Sequence, residues 1–134
     1  MGLDNGIEIR NFKKDKLNEI PNFIQYTKYY IEDEDVASIE IAYWRKCWGV
    51  RAAILDALNS DEEYGIEINR EDIPKIIEAL IPFFSKEYWT KEANSIWEFE
   101  EYFNNMLSIM INLKWLYSYM EDNPSLEIVF YDSY

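Results

Sequence analysis

The run Tyr43-Trp44-Arg45-Lys46-Cys47-Trp48-Gly49-Val50-Arg51 concentrates three cations and three aromatic rings in nine positions of an otherwise strongly acidic chain. Indole faces beside a guanidinium can hold a cation, stack on a nucleobase or clamp a phosphate. Read as a helix at about 100° per residue, Trp44, Cys47, Trp48, Ile54, Leu55 and Leu58 fall on one face, with Arg51 near its middle and Arg45 beside it. A guanidinium inside an apolar stripe is costly unless a carboxylate, a carbonyl or a bound anion satisfies it. Two arrangements meet that requirement. Trp44, Arg45, Trp48 and Arg51 could line a pocket for a nucleotide or another anion. Alternatively, Arg51 forms an internal ion pair with Asp4, a sheet glutamate or the carboxylate after Tyr134. Acidic residues outnumber basic ones 26 to 13, so the internal pair, with Arg51 mostly buried, is the expected arrangement.

Carboxylates form the second candidate set. Ile7-Glu8-Ile9, Ile39-Glu40-Ile41, Ile66-Glu67-Ile68 and Leu126-Glu127-Ile128 each alternate apolar, acidic, apolar. If these strands lie side by side, Glu8, Glu40, Glu67 and Glu127 share one sheet face. Like charges set opposite one another destabilise a sheet, so neighbouring cations, a divalent metal or a basic partner would have to relieve them. A carboxylate-only set would suit Mg²⁺, Mn²⁺ or Ca²⁺. Outward glutamates on half-exposed strands are also ordinary, and no metal or other cofactor is expected. A third set, Glu101, Asn105, Ser108, Asn112 and Trp115, continues to Tyr119 along one helix stripe. Asn105, Asn112 and Trp115 are candidates for partner contact. The plainer alternative is packing against residues 11–31.

Several chemistries are excluded. The chain has no histidine, hence no Ser-His-Asp or Cys-His nucleophile and no His metal ligand. Cys47, the single cysteine, cannot form an internal disulfide and reads as a buried, inert thiol in a reducing compartment. No EF-hand, phosphate loop or dinucleotide glycine pattern is present. No catalytic residue is assigned and the chain is not expected to be an enzyme; a divalent-metal carboxylate enzyme is the remote alternative.

The elements that must position these groups are legible from period. The alternating triplets predict strands, two of them extending over Val36–Tyr43 and Leu126–Tyr131 with Phe130 on the buried side. A first helix runs from Trp44 to Leu58 and stops at Asn59-Ser60-Asp61. A second starts near Asp72 with Pro74 in its first turn; Ile73, Ile76, Ile77, Leu80, Ile81 and Phe84 keep helical spacing, and Pro82 frays its end. The third is capped by a Ser95/Glu98 box and runs to about Met120, before Asn123-Pro124. Its Phe99, Phe103, Met106, Met110, Leu113, Tyr117 and Met120 predict the core-facing stripe, with a coiled-coil seam as the alternative. Residues 11–31 suggest a short helix or an irregular excursion, and Glu32-Asp33-Glu34-Asp35 an exposed acidic loop. The expected fold is α+β over 1–134 as a single domain, with one small sheet of about four short strands against about three helices, the longest near residues 95–121.

Net charge is −13, and after Lys91 the only cation is Lys114. Direct binding to nucleic acid is therefore disfavoured, since it relies on Lys and Arg neutralising phosphates. Long-range attraction favours a basic or nucleic-acid-binding protein. No apolar run approaches a membrane span and no signal pattern opens the chain, so a cytoplasmic location and no membrane partner are expected.

Four blocks carry a resemblance: Met1-Gly2-Leu3-Asp4-Asn5-Gly6-Ile7, Tyr43-Trp44-Arg45-Lys46-Cys47-Trp48 with Arg51, Asn94-Ser95-Ile96-Trp97-Glu98-Phe99 and Phe130-Tyr131-Asp132-Ser133-Tyr134. Together they resemble a family of small proteins encoded by phages and prophages of low-G+C bacteria. The resemblance implies a genomic context and no activity; accessory phage genes of this size often encode inhibitors of host or defence proteins. The expected function is thus a non-enzymatic phage- or mobile-element-encoded binding protein that inhibits a host or defence factor through its acidic surface. The alternative is a small-molecule binder that sequesters a nucleotide or other anion in the Trp/Arg pocket.

Overall fold

The computed structural model describes residues 4–24, 29–31, 36–45, 47–60, 65–85 and 95–133. Within them the chain runs β1 (Asp4–Lys13), β2 (Tyr29–Ile31), β3 (Val36–Arg45), α1 (Trp48–Ala57), β4 (Ile66–Ile68), α2 (Ile73–Leu80), α3 (Ile96–Asp122) and β5 (Glu127–Ser133). Short 3-10 turns occupy Lys14–Glu19, Arg70–Asp72 and Ile81–Phe84. The strands form one antiparallel sheet in the order β2-β3-β1-β5-β4. The fold is α+β. Each of the alternating triplets lies in a strand or at its edge. β2 is an addition, a three-residue edge strand in the stretch read as a short helix or irregular excursion. The acidic run Glu32-Asp33-Glu34-Asp35 and the Ser95/Glu98 box lie outside the described residues or side chains.

Alternation sets the sheet's two faces. Ile7, Ile9, Ile39, Ala42, Trp44, Ile128 and Phe130 are buried under the helices. The register of β1 shifts against β3 between Ile9 and Phe12, where Asn11 adopts the left-handed conformation (φ 58°). Such a bulge re-aims the side chains beyond it. Phe12 consequently turns into the core, 6.0 Å from the Tyr119 ring. A second shift, between Ile7 and Glu8, lets Ile41 and Ala42 of β3 both sink inward.

The first helix begins at Trp48, four positions later than its periodicity suggested. Trp44 and Arg45 instead finish β3, opposite Asn5 and Asp4 of β1. The spacing of Trp44, Cys47, Trp48 and Arg51 fits a helix, but Tyr43–Arg45 also fits a strand, and pairing with β1 decides between them. The helix stops as expected at Asn59, left-handed at φ 51°. The Asn59 amide donates to the Asp56 carbonyl and the Ser60 amide to that of Leu55, a Schellman closure that satisfies the last carbonyls.

α2 is led in by a box in which the Asn69 amide donates to the Asp72 carboxylate at 3.0 Å. Its Ile73, Ile76 and Leu80 reach the core, whereas Ile81, expected on the same stripe, faces solvent. Pro82 follows as a breaker, and the chain tightens into a 3-10 turn from Ile81. On α3 the buried line is Met106, Ile109, Leu113, Leu116 and Met120. Phe103, Met110 and Tyr117 flank this line rather than lead it, so the helix is rolled relative to the expected stripe. Asn112 is buried on the side toward β3 and bonds to that strand, in keeping with the roll. Among the described residues no helix is long and apolar enough to cross a membrane.

Candidate functional site

The most completely defined polar arrangement centres on Arg51. From the first turns of α1 its Nε donates to both carboxylate oxygens of Asp132, at 3.1 and 3.0 Å, and its Nη2 donates to Oδ2 at 2.8 Å. The Asp132 side chain is 2% exposed and that of Arg51 16%. Planar forks of this kind are the strong form of ion pair. The expected internal pairing of Arg51 therefore holds, but its partner is none of the groups named for it. Asp132 was nonetheless readable: Ile128 and Phe130 face inward, and two more residues of alternation place Asp132 on the same side.

The Trp/Arg pocket is not assembled. Trp44 lies in the core and its indole N–H donates to the Met106 sulfur at 3.4 Å. Arg45 is exposed on the opposite side of β3, across the register from Asp4. Trp48 is 55% exposed at the start of α1, and Arg51 is held by Asp132. Strand geometry separates Trp44 from Arg45 because successive side chains leave opposite faces. Cys47 is buried, and its thiol donates to the Arg45 carbonyl at 3.4 Å. Asn5 sits in the row between Trp44 and Asp132, fully buried. Neither polar atom of its carboxamide has a hydrogen-bond partner among the described residues.

The sheet glutamates do meet. Glu40 opposes Glu8, and Glu8 and Glu67 flank Val129 from either side, so three carboxylates occupy one row. Glu127 lies further along, opposite Arg10. The crowding is relieved from within: Arg10 Nε donates to Glu8 Oε1 at 2.8 Å, and Asn11 Nδ2 donates to Glu127 Oε2 at 2.6 Å. Among the described residues no group of three acidic, Cys or His side chains could hold a metal ion. The four glutamates thus share one face of the sheet.

The asparagine stripe also turns inward. β2 pairs only with Ala37–Ile39 of β3. Beyond that stretch, the Ile41 carbonyl accepts from Asn112 Nδ2 at 2.9 Å and the Tyr43 carbonyl from Asn105 Nδ2 at 3.2 Å. Trp115 stacks on Tyr119 with ring centroids 4.9 Å apart. The Tyr119 hydroxyl donates to Glu19 Oε1 at 2.8 Å. Burial and that bond push the Tyr119 phenol up to about 12. Tyr43 is raised as well, by burial first and then by its hydrogen bond to Asp4. Of the candidates for a partner, Asn105 and Asn112 join α3 to β3, and Trp115 stacks on Tyr119, which ties the same helix to the turn at Lys14–Glu19.

Sequence reasoning missed the surface that remains. Between α2 and α3 runs a groove of about 350 Å³, with Pro74, Ile77 and Ile81 on one wall and Lys114 and Tyr117 on the other. Ile81 is 56% exposed, and Ile111, one turn before Lys114, is 53% exposed. The Arg70 guanidinium lies 3.9 Å over the Tyr117 ring and its Nε donates to the Tyr117 carbonyl at 3.0 Å, fixing that wall. The signal in the sequence was an isoleucine at 111, on the polar side of a stripe otherwise read as core. Comparisons with protein-family models, with curated proteins and with solved structures found no match.

Proposed function

We propose that the chain is a non-enzymatic binding protein, encoded by a phage or mobile element, that acts in the host cytoplasm by occupying a basic or nucleic-acid-binding host protein. The observation that carries this reading is the coincidence of a −13 charge with large apolar side chains left at the surface, among them Trp48, Ile81, Trp97 and Ile111. Exposed apolar groups rimmed by charge are typical of protein contact surfaces. The acidic field would accelerate encounter with a cationic partner and repel nucleic acid itself. The nucleotide-sequestering alternative receives no comparable support, because the cation at its centre is already held by Asp132.

The test is retention of host proteins from a lysate of a low-G+C bacterium on immobilised protein, repeated across salt concentrations. Basic proteins should be enriched at low salt and released progressively as salt rises, on the scale set by a Debye length of about 10 Å at 0.1 M. Recovery of no basic protein at any salt concentration would remove the reading.

A further inference from the structure

We propose that the groove between α2 and α3 is the contact site of this binding activity, and that it accepts an amphipathic cationic helix of the partner. The inference rests on the binding-protein reading above and specifies its surface and its occupant. Three observations carry it. The groove walls carry apolar groups, Ile77 and Ile81 on one side and on the other the Tyr117 ring that Arg70 covers. The apolar surface continues along α3 through Ile111 and Leu107, both exposed and one turn apart. Two neighbouring helices with such a seam match the mode in which a partner helix lays apolar residues at i, i+3, i+4 and i+7 into a groove.

Charge selects the helix. Exposed Glu100 and Glu101 stand toward one end of the α3 strip, and Glu121 and Asp122 toward the other. Glu78 lines the α2 wall and Glu71 precedes it. Against these stand Arg70, over the Tyr117 ring and 3.9 Å from Glu121, Lys75, which is 3.9 Å from Asp72, and Lys114. Lys114 makes no ion pair with any described residue. In a carboxylate-rich rim it supplies one cationic position that suits an acid or a carbonyl of the partner. A helix with lysine or arginine flanking an apolar stripe, and a single acceptor opposite Lys114, complements all of these features. A uniformly acidic helix complements none but the last.

The probe is a synthetic helical peptide with leucine at every third or fourth position and lysine elsewhere, labelled for fluorescence anisotropy. Two controls accompany it: a permuted peptide of the same composition without a continuous apolar face, and a version with glutamate for lysine. The amphipathic cationic peptide should bind at least tenfold more tightly than either control. Ile81→Glu and Ile111→Glu should each weaken binding tenfold or more while thermal melts stay near wild type. Ile111→Leu should retain binding, which guards against a variant that merely misfolds. Amide shift perturbations should centre on α2 and α3. Equal binding of the permuted peptide would overturn the groove and leave the charge-driven reading standing. Absence of binding by any cationic peptide at low salt would overturn both. Tighter binding of the glutamate peptide would overturn the assignment, as would a dimer of the free protein that Ile111→Glu dissociates, since a second copy would then be the occupant.

Discussion

Replacing Arg51 with alanine should cost on the order of 3–5 kcal/mol of folding stability, because it strands a carboxylate that is 2% exposed. The magnitude follows from what Asp132 loses. Three donor contacts within 3.1 Å disappear at once, and the carboxylate has almost no surface through which water can replace them. A domain of ordinary stability holds about 5–15 kcal/mol in all, so the variant approaches the limit of folding. For a chain of this size roughly 4 °C of Tm accompanies each kcal/mol, a fall of about 12–20 °C. Urea denaturation of wild type and variant, compared at a common m-value, is the assay. Arg51→Lys should fall between them, since an ammonium keeps the charge and loses the fork. Asp132→Ala should cost less than Arg51→Ala, because the stranded guanidinium retains 16% exposure and reaches water. Replacing both together, as Arg51→Met with Asp132→Leu, should land within about 2 kcal/mol of wild type, as apolar substitutes for a buried pair often do. A loss below about 1 kcal/mol for Arg51→Ala, the scale of an exposed pair, would refute the reasoning. So would a larger loss for Asp132→Ala, which would mean that burial does not rank the two partners.

Three further outcomes are expected. Asn112→Ala removes the donor to the Ile41 carbonyl from a 3% exposed site and should cost about 1–3 kcal/mol in the same denaturation assay, while Asn105→Ala, at a more open site, should cost about 1 kcal/mol or less. Asn5→Leu replaces a fully buried carboxamide that has no partner among the described residues with an apolar group of similar shape, and its thermal melt should match or exceed wild type. Tyr119 titrates near 12 in the fold against about 10 in the unfolded chain, so the protonated phenol is the form the fold favours. Its contribution is complete below pH 10 and is lost as pH rises from 10 through 12; Tyr119→Phe should flatten the stability profile over that window, and an unchanged slope would contradict it.

The parts of the fold that the sequence specified are those in which a single period leaves no competitor. Ile7-Glu8-Ile9 and its counterparts admit only a two-residue repeat, and each forms or adjoins a strand of the sheet. Asn59 stops α1 because its side chain tolerates the left-handed backbone that the Schellman closure needs, a local requirement visible in a few residues. Ambiguity entered where two periods fit the same letters. Trp44 to Trp48 satisfies i and i+4 of a helix, yet Ala42 and Trp44 against Tyr43 and Arg45 satisfy alternation equally well. What decides is β1, some forty residues upstream, whose Asp4 and Asn5 pair with Arg45 and Trp44. No local pattern contains that contact. The same limit hid β2, whose pairing with Ala37–Ile39 leaves no distinctive mark in Tyr29–Ile31.

Arg51 separates what local chemistry can establish from what it cannot. Its position in an apolar stripe required a counter-charge, and that requirement follows from desolvation alone. Which counter-charge depends on β5 lying beside β1, so that Asp132 stands in one row with Asn5 and Trp44 beneath α1. The consequence reaches function. Once Arg51, Asn105 and Asn112 are each committed to a partner inside the fold, the groups that looked most suited to an external ligand are occupied in holding α1 to β5 and α3 to β3. Residues that carried no chemical signal, Ile81 and Ile111, are left exposed, and aliphatic side chains at a surface recognise other apolar surfaces rather than small anions. That inversion makes Ile111→Glu the more informative variant for the proposed protein contact, whereas Arg51→Ala reports on the fold.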